Sequence, residues 1–165
     1  MESQEDRRRK ISPMKYETFI PCVPPTSTNQ SQRGLYVGKD GRPHVFTKTK
    51  GRNIENALCA ILYAHRPPED FPRDLPLRVE ITLLFPYRKT EKKSIVRESR
   101  EIPHASRPDI DNLVKFLLDC MTRTGYWLDD GKIYDLHLRK LYAPKTGIGI
   151  KLIAGEEVPS VLAGF

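Results

Sequence analysis

The strictest constraint on this chain is a run of nine residues from Leu77 to Phe85. Leu77, Val79, Ile81, Leu83 and Phe85 are apolar, and Arg78, Glu80 and Thr82 alternate with them. A period of two fits a strand with one buried face, and Pro86 ends it. Whatever fold forms must therefore supply a layer to cover that face. A first strand is expected where Tyr16, Thr18 and Ile20 alternate with Glu17 and Phe19, stopped by Pro24 and Pro25. The stretch YVGKDGRPHVF reads as a small hairpin around Gly38–Gly41. Tyr134, Leu136, Leu138 and Tyr142 alternate before the turn PKTG, and Ile148, Ile150 and Leu152 alternate after it, which predicts a β-hairpin with one buried face.

Helical spacing occurs twice. Ile54, Leu58, Ile61 and Leu62 predict a helix over about 53–65 with Asn53 as N-cap. Leu113, Phe116, Leu117, Cys120 and Met121 predict an amphipathic helix ending near Gly125. Residues 88–107 have no steady period and are expected to be a long loop. The order implies an α+β fold: a single domain with a mixed β-sheet and two helices packed on one face. The domain is expected over 14–155, after a flexible basic extension at 1–13 that includes Arg7, Arg8, Arg9 and Lys10. Residues 156–165 form a tail without assignment.

Composition narrows the class. A hydrophobic content of 38% in 165 residues is too high for a disordered polycation, and the apolar runs are too short to span a bilayer. The N-terminus has no apolar core of a secretory signal, so a cytoplasmic location is expected. Cys22, Cys59 and Cys120 are widely spaced and form no C-x-x-C, which supports neither a disulfide framework nor a thiolate zinc site.

The formal charge of +7 is unevenly distributed. In 31–53, Arg33, Lys39, Arg42, Lys48, Lys50 and Arg52 stand against Asp40 alone, leaving +5. Residues 88–107 carry +4, whereas 108–135 carry six Asp against Lys115, Arg123 and Lys132, leaving −3. A polyanion-binding surface around a carboxylate metal site has this pattern, because phosphates need cations and a metal needs anions. Solvated loops can produce it too.

Two segments, RPDIDNLVK and YWLDDGK, carry the candidate chemistry. Pro108 biases Arg107 away from helix, so Asp109 is expected in an extended approach, with Asp111 or Asn112 at the helix N-cap. Asp111, Lys115 and Asp119 fall one turn apart on a stripe opposite the apolar face. Asp129 and Asp130 lie in the loop entering the next strand, and a chain turning back there would bring them beside the helix start. Each feature singly has an ordinary reading as a cap, a surface ion pair or a turn. Together they are a carboxylate cluster whose mutual repulsion of about 1–4 kcal/mol per pair needs compensation. Mg²⁺ supplies it, since it prefers hard oxygen ligands and can bridge to a phosphate oxygen. His104 and His137 are read as a loop histidine and an outward strand histidine.

RPDIDNLVKFLLDCMTRTGYWLDDGKI resembles the RusA-type Holliday junction resolvases, in which P-D-x-D-N-x-x-K, a helix containing L-D and a W-x-D-D segment follow in this order. The likeness is strongest over 107–142, and TFIPCVPPTSTNQ is similar to the family's first strand and the turn after it. The resemblance implies a Mg²⁺-dependent homodimeric endonuclease, bacterial or phage-encoded, that cuts four-way DNA junctions and leaves 5′-phosphate ends. Mn²⁺ is expected to substitute. Carried over, the catalytic and metal-binding carboxylates fall on Asp109, Asp111 and Asp130, and the catalytic lysine on Lys115. Asn112, Asp119 and Asp129 are expected around them. Arg33, Lys48, Lys50, Arg52 and Arg107 are expected to contact DNA phosphates. Two rivals stay open: a nuclease for forks, flaps or duplex with the same site, and a metal-free nucleic-acid-binding protein.

Overall fold

A computed structural model describes residues 13–26, 33–72, 74–156 and 158. The basic extension at 1–12 lies outside them, as does most of the tail. Seven strands and three helices follow in the order β1 (Met14–Ile20), β2 (Arg33–Val37), β3 (Pro43–Thr47), α1 (Thr49–Ala64), β4 (Leu77–Phe85), α2 (Lys93–Arg97), β5 (Ile102–Pro103), α3 (Ile110–Arg123), β6 (Ile133–Tyr142) and β7 (Gly147–Ala154). A one-turn 3₁₀ helix, Asp130–Lys132, leads into β6.

The main sheet has the order β1-β7-β4-β6-β5, and β2 and β3 form a separate two-stranded ribbon. β4 is parallel to β6 and antiparallel to β7; the other pairings are antiparallel. The expected hairpin between the last two strands does not form, because β4 lies between them. The physical reason is burial. Every second residue of β4 is buried and β7 is buried at six of eight positions, so these strands take the interior of the sheet. The more exposed β6 goes outside β4.

The registers place apolar side chains in rows across the sheet. Thr18, Ile150, Ile81 and Leu138 form one; Ile20, Ile148, Leu83 and Lys140 form the next. Leu58 and Leu62 of α1 and Leu113, Phe116, Leu117, Cys120 and Met121 of α3 pack on this face with the β4 row. The hydroxyls of Tyr16 and Tyr126 both donate to the His65 carbonyl beyond the end of α1, and Arg123 of α3 pairs with Glu55 of α1. The opposite sheet face is polar and internally paired: Arg78 reaches Glu80 at 3.1 Å, Asp135 at 3.5 Å and Glu156 at 3.4 Å. His137 lies there too, 3.1 Å from Asp135.

Two expectations about local structure need correction. α1 starts at Thr49, so Asn53 is inside the helix and Lys48 occupies the N-cap position. The early start escapes a periodicity reading because the first turn, Thr49–Arg52, has no apolar side chain to report it. The 88–107 stretch holds α2 and β5, both too short to generate a detectable period. It is held by Arg88 on Glu91 at 3.0 Å and by the Tyr87 hydroxyl on the Arg100 carbonyl at 2.7 Å. The three cysteines are free. Among the described residues, no helix is long and apolar enough to cross a membrane.

Ile81→Ala should destabilise the domain by about 3 kcal/mol, whereas Thr82→Ala on the opposite face should cost below about 1 kcal/mol. Urea midpoints at constant m-value measure both, and equal losses would contradict the assignment of the two faces.

Candidate active site

β5 runs antiparallel to the end of β6 and delivers the chain to α3. The His104 N–H donates to the Lys140 carbonyl at 3.0 Å, which extends this pairing by one residue. The His104 ring is buried, stacked on Tyr142 at 4.2 Å between centroids and edge-on to Phe85 at 4.7 Å. Burial pushes its pKa below the ordinary histidine value, and the nearby Lys140 and Arg88 charges add to the effect. His104 is a loop residue just past β5, as the sequence predicts, and its ring is buried against two aromatic side chains.

Lys140 stands where a fourth apolar side chain would complete the row of Ile20, Ile148 and Leu83. Its ammonium donates to the Ser106 carbonyl at 2.7 Å and the Pro108 carbonyl at 2.6 Å. Desolvation lowers its pKa, and the Asp109 carboxylate opposes that shift. One lysine therefore holds two carbonyls of the segment entering α3. The Arg107–Pro108 peptide within it is cis.

Asp109 is the N-cap residue of α3, with φ −66° and ψ 143°, and its carbonyl accepts the Leu113 N–H at 3.1 Å. Its carboxylate makes no capping hydrogen bond. Asp111 follows in the first turn, so neither Asp111 nor Asn112 is the N-cap residue. Asp109, Asp111, Arg107, His104 and Lys140 line one open pocket of about 620 Å³. Both carboxylates are exposed, as is Arg107. Lys115, one turn further along α3, is exposed but outside the pocket lining, and Asn112 and Asp119 are half-buried on the same helix.

The turn after α3 does not bring its two aspartates to this pocket. Asp129 and Lys132 line a separate small cavity with Phe71, Leu77 and Trp127, and Asp130 is exposed at the start of the 3₁₀ turn. The connectivity explains this. The turn enters β6 at Ile133, beside Leu77 at the start of β4, whereas the α3 entry is held by Lys140. Ile133 and Lys140 are separated by roughly 23 Å of strand at 3.3 Å per residue. Asp129 acts as a cap: its carboxylate accepts the Gly131 N–H at 2.9 Å. Among the described residues, no three His, Cys, Asp or Glu side chains are grouped closely enough to hold a metal ion. Asp109 and Asp111 still offer the hard-oxygen chemistry of a cation held by one or two carboxylates together with substrate phosphate.

The expected phosphate-contacting bases fall in two places. Arg107 is at the pocket. Lys48, Lys50 and Arg52 are exposed at the N-terminus of α1, whose first turn contains no acid. Cations at that positive helix end are unfavourable unless an anion offsets them. The Arg33 side chain lies outside the described residues. Sequence reasoning missed Lys140, Ser106 and the role of His104. Lys140 had a usable signal, because it interrupts the apolar alternation Leu136, Leu138, Tyr142.

Comparison with known proteins adds an independent line. The family model described as Endodeoxyribonuclease RusA matches residues 21–153. A crossover junction endodeoxyribonuclease of Lactococcus phage r1t is 33% identical over 125 residues, covering 76% of this chain and 88% of the phage protein. The corresponding proteins of Escherichia coli K12 and of Enterobacteria phage 82 are each 36% identical over 52 residues, covering 32% of this chain and 43% of theirs.

The depressed pKa of His104 has a consequence for stability. The unfolded chain takes up a proton near pH 6.5 that the folded chain resists, so stability is full above that pH and falls as pH is lowered through it. Thermal midpoints between pH 7.5 and 5 should show this slope in the wild type and a flatter one in His104→Gln. Identical slopes would contradict the buried neutral ring.

Proposed function

The chain belongs to the RusA endodeoxyribonuclease family, hydrolases that cut DNA, and from that premise we propose that it resolves four-way DNA junctions by paired symmetric nicks in recombination and repair. The observation that carries the reading is one pocket in which Asp109 and Asp111 stand beside Arg107 and Lys140. Carboxylates suit a cation, and bases suit the phosphate.

Asp109 and Asp111 would hold Mg²⁺, with Mn²⁺ able to replace it; Asp130, expected as the third carboxylate, lies outside this pocket and does not join these two on the same ion. When bound, the ion supplies charge neutralisation at the scissile phosphate and lowers the pKa of the attacking water. Lys115 stabilises the negative charge that develops on the phosphoryl oxygens or orients the water. Asp119, one turn beyond Lys115, holds that lysine extended, Asn112 follows Asp111 in the first turn of α3, and Asp129, bonded to the Gly131 N–H, fixes the turn that carries Asp130. Lys140 holds the Ser106 and Pro108 carbonyls, and through them sets the backbone that presents Asp109. The cut leaves a 5′-phosphate and a 3′-hydroxyl.

A four-way junction has near two-fold symmetry and needs two equivalent cuts, which a C2 homodimer supplies with two equal sites. Arg33, Lys48, Lys50, Arg52 and Arg107 neutralise backbone phosphates. The placement of Lys48, Lys50 and Arg52 at the positive end of α1 supports that role.

Asp111→Asn should abolish Mg²⁺-dependent junction cleavage while preserving junction binding. Gel assays of cleavage and binding check this; cutting at the wild-type rate would remove Asp111 from the site. Replacing Lys48, Lys50 or Arg52 by Gln should each lower the log–log salt slope of binding by about 0.9. An unchanged slope would exclude the contact.

A further inference from the structure

Among the described residues, the β2–β3 ribbon pairs with no other strand. An isolated two-stranded ribbon is marginal in water, yet this one exposes apolar side chains on both faces. Leu35, Val37 and Val45 are 72%, 71% and 63% exposed; Tyr36 and Phe46, on the alternate face, are 54% and 42% exposed. Such exposure marks a surface that meets a partner.

The aromatic face is internally ordered. Tyr36 is opposite His44, and their rings stack at 5.2 Å with 20° between planes. Phe46 meets Tyr36 edge-on at 5.9 Å. It lies across Gly34, where an added Cβ would come within 2.5 Å of its ring, so the bare backbone is what admits the ring. Asp40 closes the turn: its carboxylate accepts the Arg42 N–H at 3.1 Å and lies 3.2 Å from His44 Nε2. The rings are thus ordered before any partner arrives.

Charge selects the partner. Asp40 is the one acid among residues 31–53, against six bases. A second copy docking arm to arm would set +5 against +5, whereas a nucleic acid offers phosphates to Lys39, Arg42, Lys48, Lys50 and Arg52 and bases to the rings. Paired bases inside a duplex hide their faces; bases at a branch point can expose them. Resting on the junction-cutting reading above, we propose that the β2–β3 ribbon is a branch-recognition arm on which Tyr36 and Phe46 stack with bases unpaired at the DNA crossover. The basic residues bind any duplex, and the rings distinguish a branch from a duplex.

The test uses the full chain in EDTA, so that DNA stays uncut, with a four-way junction carrying 2-aminopurine at the crossover and a linear duplex of the same sequence. Tyr36→Ala and Phe46→Ala should each weaken junction binding on the order of tenfold. Duplex binding should stay within about twofold, and the fluorescence change at the crossover should be lost. Phe46→Tyr should restore both readouts. Leu35→Ser, on the other face of the same ribbon, should bind the junction as the wild type does. Junction affinity unchanged in both alanine variants would overturn the proposal. So would equal loss on junction and duplex, an equal effect of Leu35→Ser, or conversion of a wild-type dimer to monomer by light scattering. A wild type with no preference for the junction over duplex would instead overturn the functional reading on which the proposal rests.

Discussion

The apolar row of β4, Leu77 to Phe85, cannot be left in water without losing about 2 kcal/mol for each side chain, and its burial decides the placement of the other elements. The strand takes the centre, with β7 antiparallel on one side and β6 parallel on the other. A parallel neighbour requires a crossover, and the crossover is the segment from Pro86 to Lys132. That segment contains α2, β5 and α3. The candidate site therefore lies in the connection that the central strand makes necessary.

The crossover is held by one polar contact set into the edge of an apolar layer. Lys140 replaces an aliphatic side chain in the row of Ile20, Ile148 and Leu83 and turns its ammonium to two backbone carbonyls. A partly desolvated lysine is costly unless its donors are satisfied, and here two of them are. This arrangement fixes the approach to α3, while the carboxylate of Asp109 is not used in capping. Asp129 is the contrast: its carboxylate is bonded to Gly131. Two aspartates that look alike in sequence thus differ in what their oxygens are available to do.

Much of this was legible beforehand. The alternation in β1 and β4 and the helical spacing of α3 gave the layers, and the RPDIDNLVK segment located the pocket, because each signal is local. Strand order was not legible: β6 and β7 are adjacent in sequence and joined by a turn, yet competition for the most buried positions puts β4 between them. The same non-local cause separates Asp130 from the α3 start, since β6 begins beside Leu77 rather than beside Asp109. The ribbon's turn could be read from Gly38 and Gly41, but its isolation from the main sheet could not.

The charge division also takes a clearer form. The acidic stretch contributes Asp109 and Asp111 to the pocket, while the basic stretch at 31–53 is spread over the separate β2–β3 ribbon and the start of α1. On the proposed reading, affinity and chemistry would belong to different elements of one domain. The most direct measurement of the central claim is strand-resolved cleavage of a synthetic four-way junction, a fork and a linear duplex by the purified protein, each with Mg²⁺ and with EDTA. The account predicts paired symmetric nicks in the junction with Mg²⁺, little cutting of fork or duplex, and none with EDTA. Equal cutting of all three DNAs, or cutting that persists in EDTA, would contradict it.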